Sequence, residues 1–257
     1  MNSSKKPRLG LISALVEEQE GLVEAMEGPY KLTHGMRDFT LGKLWGNDAV
    51  CVLSRIGKVA AAMTAAMLVE KFEVTHIVFT GVAGSADFGV RVGDIVVAES
   101  LVQHDMDARP LFPRFEVPLT GLSRFPSDQA LSGQVTAAAQ DFIANDLENV
   151  FSTATVKQFG LAGARVHRGL IGSGDQFIHS RAQLGLLKEA LPDLLAVEME
   201  GAAVAQVCFE LGIPYAVIRT ISDNANEGAA VDFMRFVRTV ASPYAFHVVK
   251  RWCERLA

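Results

Sequence analysis

The chain is poor in the features that mark several large protein classes. Only three of its 257 residues are cysteine: Cys51, Cys208 and Cys253. None forms a CxxC pair or stands at a zinc-ligand spacing from a histidine. That excludes a disulfide scaffold and a finger-type metal site, and the thiols read as buried or inert in a reducing cytoplasm. No apolar run approaches the roughly 20 residues that cross a bilayer, so no membrane partner is expected. The opening MNSSKKPRLGLISALV faintly imitates a signal peptide. Glu17 and Glu18 cut its apolar run, and no small-residue cleavage site follows. Clustered basic residues are missing too. The 24 Lys and Arg against 29 Asp and Glu leave a formal net charge of −5, which speaks against a nucleic-acid surface. Neither a GxGxxG dinucleotide fingerprint nor a GxxxxGK[ST] phosphate loop occurs, and there is no internal repeat or low-complexity linker.

Apolar residues are plentiful, at 49%. A chain of this length buries roughly 70–75% of its unfolded surface, in one large α/β domain or two small ones. Runs at 9–15, 75–81, 94–102, 165–173, 195–198 and 215–222 read as buried strands. They alternate with helical patterns at 16–26, 57–71, 127–145, 180–190, 200–211 and 232–255. Residues 38–45 and 48–55 read as a hairpin around Gly46, Asn47 and Asp48, and 151–156 as a further strand. Strands with little polar alternation, joined by helices, predict a mainly parallel sheet covered on both faces. The stretch 107–127, with four prolines, reads as a long ordered loop of the kind that often borders a site.

In such a sheet ligands bind beyond the carboxyl ends of the strands. There the chain delivers Glu17 and Glu18, the small-residue turn TGVAGSA (80–86), GSGDQF (172–177), EMEGAA (198–203) and SDN (222–224). Three strand ends thus carry carboxylates far apart in sequence. Each has a plainer explanation. Glu17 and Glu18 suit the first turn of a helix, and Asp223 suits a cap or turn. Glu198 and Glu200, two residues apart, fall on one strand face, and Arg219 within an apolar run suggests a buried ion pair with one of them. His104, Asp105 and Asp107 look superficially like metal ligands, but no second His-rich element accompanies them, and no metal is expected. His167 and His179 read as structural or solvated. Cleavage of a purine glycosidic bond needs an acid for the leaving base, a base for water and contacts to the sugar hydroxyls. Three acids in different environments suit those roles, although a sugar-binding module could use the same carboxylates.

A resemblance separates these readings. GLISALVEEQE (10–20), SRIGKVAAA (54–62), FTGVAGSAD (79–87), GDIVVAESLVQHDMDA (93–108), GLIGSGDQFI (169–178), AVEMEGAAVAQVC (196–208) and VIRTISDNAN (217–226) together resemble the 5′-methylthioadenosine/S-adenosylhomocysteine nucleosidases of the nucleoside phosphorylase/hydrolase superfamily. The resemblance implies an α/β fold, a three-layer αβα sandwich around a central mixed, mainly parallel sheet. It implies one domain over 1–257, with 1–7 a tail, in a cytoplasmic homodimer. The implied reaction hydrolyses methylthioadenosine or S-adenosylhomocysteine to adenine and the thioribose, with no cofactor. The small-molecule nucleoside is the implied partner.

The same resemblance distributes the roles. Glu18 activates water, Asp223 held by Ser222 protonates adenine N7, and Glu200 grips the ribose hydroxyls. Met199 and Gly84 line the substrate, Arg219 lies near the water and Glu200, and Phe177 stacks on adenine. The backbone of Ile178 reads the base edge, and Phe233 lies by the 5′-thio group. Two places depart from the pattern: Val82 stands where many members carry a small hydroxyl residue, and 108–121 differs from the usual loop that reaches the partner subunit's site. A futalosine-type hydrolase keeps the same acids. A purine nucleoside phosphorylase needs phosphate where Glu17 and Glu18 would repel it. A non-catalytic nucleoside-binding protein does not require all three acids.

Overall fold

The alternating pattern organises a single ten-stranded sheet. The structure, a computed structural model, describes residues 7–226 and 228–256, with the backbone path alone at 230–232. Residues 1–6 of the expected tail lie outside the described residues. The strands are β1 (Arg8–Ser13), β2 (Glu27–His34), β3 (Arg37–Leu44), β4 (Asn47–Leu53), β5 (His76–Ser85), β6 (Ile95–Gln103), β7 (Phe125–Pro126), β8 (Val166–Ser173), β9 (Leu194–Glu198) and β10 (Tyr215–Asp223). The helices are α1 (Val16–Glu24), α2 (Lys58–Glu70), α3 (Gln129–Asn145), α4 (Leu147–Val150), α5 (Thr153–Phe159), α6 (Arg181–Ala190), α7 (Gly201–Leu211), α8 (Ala229–Phe236) and α9 (Ser242–Glu254).

Alternate residues of the central strands feed two apolar cores. Leu9 and Leu11 of β1, with Ile95 and Val97 of β6, pack towards α1, α3 and α9. Ile12, Val96 and Val217 pack towards α2 and α7. Burial on both faces explains why these strands read as unbroken apolar runs.

The sheet is mixed, but its parallel character is narrower than expected. Among the described residues five strand pairings are parallel and five antiparallel. The sheet also closes on itself. β5 pairs β1 over its first four residues and β10 from Ile77 to Gly84, and at Gly84–Ser85 it also pairs β9. The path β5–β10–β6–β8–β9 returns to β5, a ring of five strands. Register shifts that leave an extra residue in β10, β6 and β9 supply the bends that closure requires.

Three expectations need correction. Residues 151–156 do not form a strand. Ser152 caps α5 by accepting from the Thr155 N–H, and Gly160 ends it in the left-handed conformation. β2 escaped notice because all eight of its residues are exposed, leaving no buried face to pattern. The C-terminal helix is interrupted by a π-helical segment, Val237–Ala241, between α8 and α9. The hairpin stands, turning at Trp45 and Gly46, both at positive φ.

Candidate active site

At the carboxyl ends of β1, β5, β8, β9 and β10 lies a cavity of about 260 Å³. Glu18, Glu200 and Asp223 all line it, as do Gly84, Phe177, Ile178, Met199 and Phe233. Of Glu17 and Glu18, Glu18 is the one that lines this cavity. Glu18 sits in the first turn of α1, only 3% exposed, and its carboxylate folds back on the loop. Oε2 accepts from the Ala14 and Leu15 N–H groups at 2.8 and 2.9 Å, and Oε1 accepts from Val82 N–H at 3.1 Å. Burial pushes this carboxyl above its ordinary value, against those donors and the nearby Arg219 charge. The bond from residue 82 comes from the backbone, so valine there preserves it.

Glu198 and Glu200 do not share a face. β9 ends at Glu198, and Glu200 occupies the cap position of α7 with a different backbone conformation. Glu200 Oε1 accepts the Gly57 N–H at 2.8 Å across the cavity wall. Glu198 instead takes Arg219, with Nη2 at 2.7 Å and Nε at 3.2 Å. It also accepts from Ser173 Oγ–H and from the Gly201 N–H. Arg219 is 1% exposed. It donates further to the Phe79 and Ile218 carbonyls and lies 4.1 Å over the Phe79 ring. Arg219 therefore stands behind the cavity wall, and its partner is Glu198 rather than Glu200. Ser222 also stands behind the wall, where its Oγ–H donates to Asp223 Oδ2 at 2.8 Å. Ala225 N–H donates to Asp223 Oδ1 at 2.8 Å.

The expected small-residue turn TGVAGSA is instead the second half of β5, and two close approaches explain its glycines. A Cβ on Gly81 would meet Glu18 Oε1 at 3.1 Å and Arg219 Nη1 at 3.2 Å. One on Gly84 would meet Asp223 Oδ1 at 2.9 Å. Phe177 and Phe233 meet edge to face with centroids 5.7 Å apart on the cavity's flank. Sequence reasoning missed the roles of Ser173, Gly57 and Ile56, although each lies in a motif it had singled out. Gly57, at φ 99°, carried the one available signal: a glycine directly before a helix.

The superficial metal cluster separates. Asp105 pairs with Lys58 at 2.6 Å, Asp107 pairs with Arg109, and His104 is buried beneath the loop. His167 bonds Asp94 at 2.8 Å. The three cysteines are buried and unpaired, and burial pushes each thiol up to about 12. Among the described residues, none of 108–121 lines the cavity.

Burial first, and the Glu198 charge second, hold the Glu200 carboxyl above its ordinary value of 4.5. A carboxyl raised by folding leaves stability intact below its unfolded value and removes it as pH rises towards the folded value. Glu200→Gln keeps an acceptor for Gly57 and no longer ionises. It is expected to stabilise the fold by about 2 kcal/mol at pH 8, a few degrees in Tm. The gain should vanish near pH 4. Thermal melts across this range check it, and a variant that melts lower than the parent at pH 8 contradicts it.

Similarity to known proteins follows the same geometry. The family model described as "Phosphorylase superfamily" matches residues 8–252. A 5′-methylthioadenosine/S-adenosylhomocysteine nucleosidase of Shewanella halifaxensis is 34% identical over 230 residues, covering 90% of this chain and 92% of that one. The structure of the nucleosidase of that name from Neisseria meningitidis, in complex with methylthio-immucillin-A, superposes with a TM-score of 0.85 at 33% identity. That superposition covers 96% of this chain and 99% of the other. The futalosine hydrolase of Helicobacter pylori follows at a TM-score of 0.81 and 29% identity, covering 95% and 97%. With its acids on strand ends of a shared fold and its sequence matched nearly end to end, the chain belongs to the 5′-methylthioadenosine/S-adenosylhomocysteine nucleosidase family of the phosphorylase superfamily.

Proposed function

We propose that this protein is a purine nucleosidase. It hydrolyses the N-glycosidic bond of 5′-methylthioadenosine or S-adenosylhomocysteine and releases adenine and the 5′-thio-substituted ribose. The observation that carries this reading is that Glu18, Glu200 and Asp223 line one cavity with an aromatic pair on its flank. Asp223, oriented by Ser222 and Ala225, gives a proton to adenine N7 as the C1′–N9 bond breaks. Positive charge then develops on the ribose. Glu18 orients a water and takes its proton as the oxygen bonds C1′, a task suited to a carboxylate whose grip on a proton is strengthened by burial. Glu200 accepts from the ribose hydroxyls, Met199 lines the sugar, Phe177 and Ile178 hold the base, and Phe233 lies towards the 5′ group. Gly84 gives Asp223 its space. Arg219 and Ser222 position Glu198 and Asp223 rather than touching substrate.

We extend the proposal to the assembly and setting. The chain forms one domain, described as three αβα layers with the closed ring in the middle layer. It works as a cytoplasmic homodimer. The exposed apolar side chains of Met36 and Val59 beside the cavity mouth, and of Leu111 and Leu119 on the 107–127 loop, support a second copy there.

Activity is expected without phosphate. Release of the free base, adenine from methylthioadenosine, S-adenosylhomocysteine and adenosine and hypoxanthine from inosine, should be equal in phosphate-free and phosphate buffers. A strict phosphate requirement with ribose 1-phosphate as product would make the protein a phosphorylase. The likeness to the futalosine hydrolase supports a second reading with the same acids and a different 5′ group. Cleavage of futalosine in preference to both thionucleosides would decide for it.

A further inference from the structure

Two guanidinium groups border grooves at the mouth of the cavity and make no ion pair among the described residues. Ile56 lines the cavity and also two shallower grooves beside it, and Arg37 and Arg55 border both grooves. Arg37 is 7% exposed. Its Nη atoms donate to the carbonyls of Gly35, Ser54 and Ala60. Its Nε is buried with no partner. Neither arginine has a carboxylate within ion-pair distance among the described residues. A buried cation left this way is costly unless something charged arrives to meet it. Neighbouring Lys58 shows the contrast, since Asp105 already neutralises it. Burial, and then the like charge of Arg55, weaken the hold of Arg37 on its proton. Arg55 is itself held at φ 68°, a conformation costly for a non-glycine residue, with Nη2 donating to the Met36 carbonyl.

The position of the pair says which end of the nucleoside it would meet. The next residue but one, Gly57, holds Glu200, the carboxylate assigned to the ribose. The grooves therefore begin at the sugar side of the cavity. We infer that Arg37 and Arg55 form a carboxylate-recognising subsite for the tail beyond C5′, so that the enzyme favours a 5′ substituent ending in an amino-acid carboxylate over an uncharged methylthio group. The planar guanidinium of Arg55, with one bond to the Met36 carbonyl, can meet a carboxylate, and the uncompensated charge of Arg37 behind it adds attraction. Glu17 and Asp38, on the second groove, suit the ammonium of the same tail. This inference rests on the nucleosidase reading proposed above.

The test compares kcat/KM for S-adenosylhomocysteine and methylthioadenosine in the parent, Arg55→Asn and Arg37→Gln. Asparagine tolerates the left-handed backbone at 55, so that variant is informative even if the buried Arg37 change impairs folding. The ratio of S-adenosylhomocysteine to methylthioadenosine is expected to fall about tenfold in Arg55→Asn, the worth of one charge-assisted hydrogen bond. In the parent, added salt should lower the same ratio. An unchanged ratio in Arg55→Asn overturns the subsite. So does an unchanged ratio accompanied by a halved mass in solution, which would give the arginines to a carboxylate of a second copy. A parent that cleaves neither thionucleoside refutes the nucleosidase reading itself, a result distinct from an unmoved ratio.

Discussion

Replacing Asp223 with Asn is expected to lower adenine release by about a thousandfold while the protein still folds. A general acid contributes roughly 10²–10⁴ in rate, and a thousandfold is about 4 kcal/mol of transition-state stabilisation. Asparagine keeps the shape and can still meet the Ser222 hydroxyl and the Ala225 N–H, so the backbone around the bulge at Ile221 and Asp223 should hold. What it cannot do is deliver a proton to a departing purine. The leaving group provides the sharper check. A thioriboside of a nitrophenol departs without protonation, so its hydrolysis should suffer far less than that of methylthioadenosine. Near-parental adenine release by the variant would refute the assignment, as would equal losses on both substrates.

The largest stability effect is expected from Arg219. Its side chain is buried with all three nitrogens hydrogen-bonded, and Glu198 depends on it for charge neutrality. Arg219→Met leaves a buried carboxylate unpaired, a loss of about 3–5 kcal/mol. At roughly 2–4 °C per kcal/mol for a chain of this size, Tm should fall by about 10 °C. Adding Glu198→Gln should recover much of the loss, because the pair removed together costs less than one partner removed alone. A single variant melting within a degree of the parent would show that Glu198 finds neutrality elsewhere, and no recovery in the double variant would show that packing, not charge, was lost.

The parts of the molecule that were legible in sequence were those with a local signature. Carboxylates at Glu17–Glu18, Glu198–Glu200 and Asp223 follow apolar runs and stand out there, but each also suits a cap, a turn or an ion pair, and it is the family resemblance that singles out Glu18, Glu200 and Asp223. The ring closure has no such signature. It arises where β5 leaves one neighbour for another at Gly84–Ser85, and bulges in three other strands cannot be told from ordinary strand residues. The parting of Glu198 and Glu200 was hidden for a related reason. A spacing of two implies one face only while the strand lasts, and β9 stops between them. β2 was invisible because periodicity reports burial, and that strand has none. Arg37 drew no attention because its isolation is a property of its surroundings, which no window of sequence contains.

The closed ring divides the enzyme into parts with different freedoms. The carboxylates that would break the bond hang from the ends of its strands or, for Glu18, from the turn after neighbouring β1, so a disturbance of the ring reaches several of them together. The part of the wall that would face the 5′ group under the proposed reading comes from elsewhere, from the Arg55–Ile56 segment and from Phe233 on α8, outside the ring. Connecting segments of that kind tolerate substitution and carry diversity. Preference for a new tail can therefore drift by small steps at the rim while the chemistry beneath it stays put, which suits a scaffold that both thionucleoside and futalosine hydrolases inhabit.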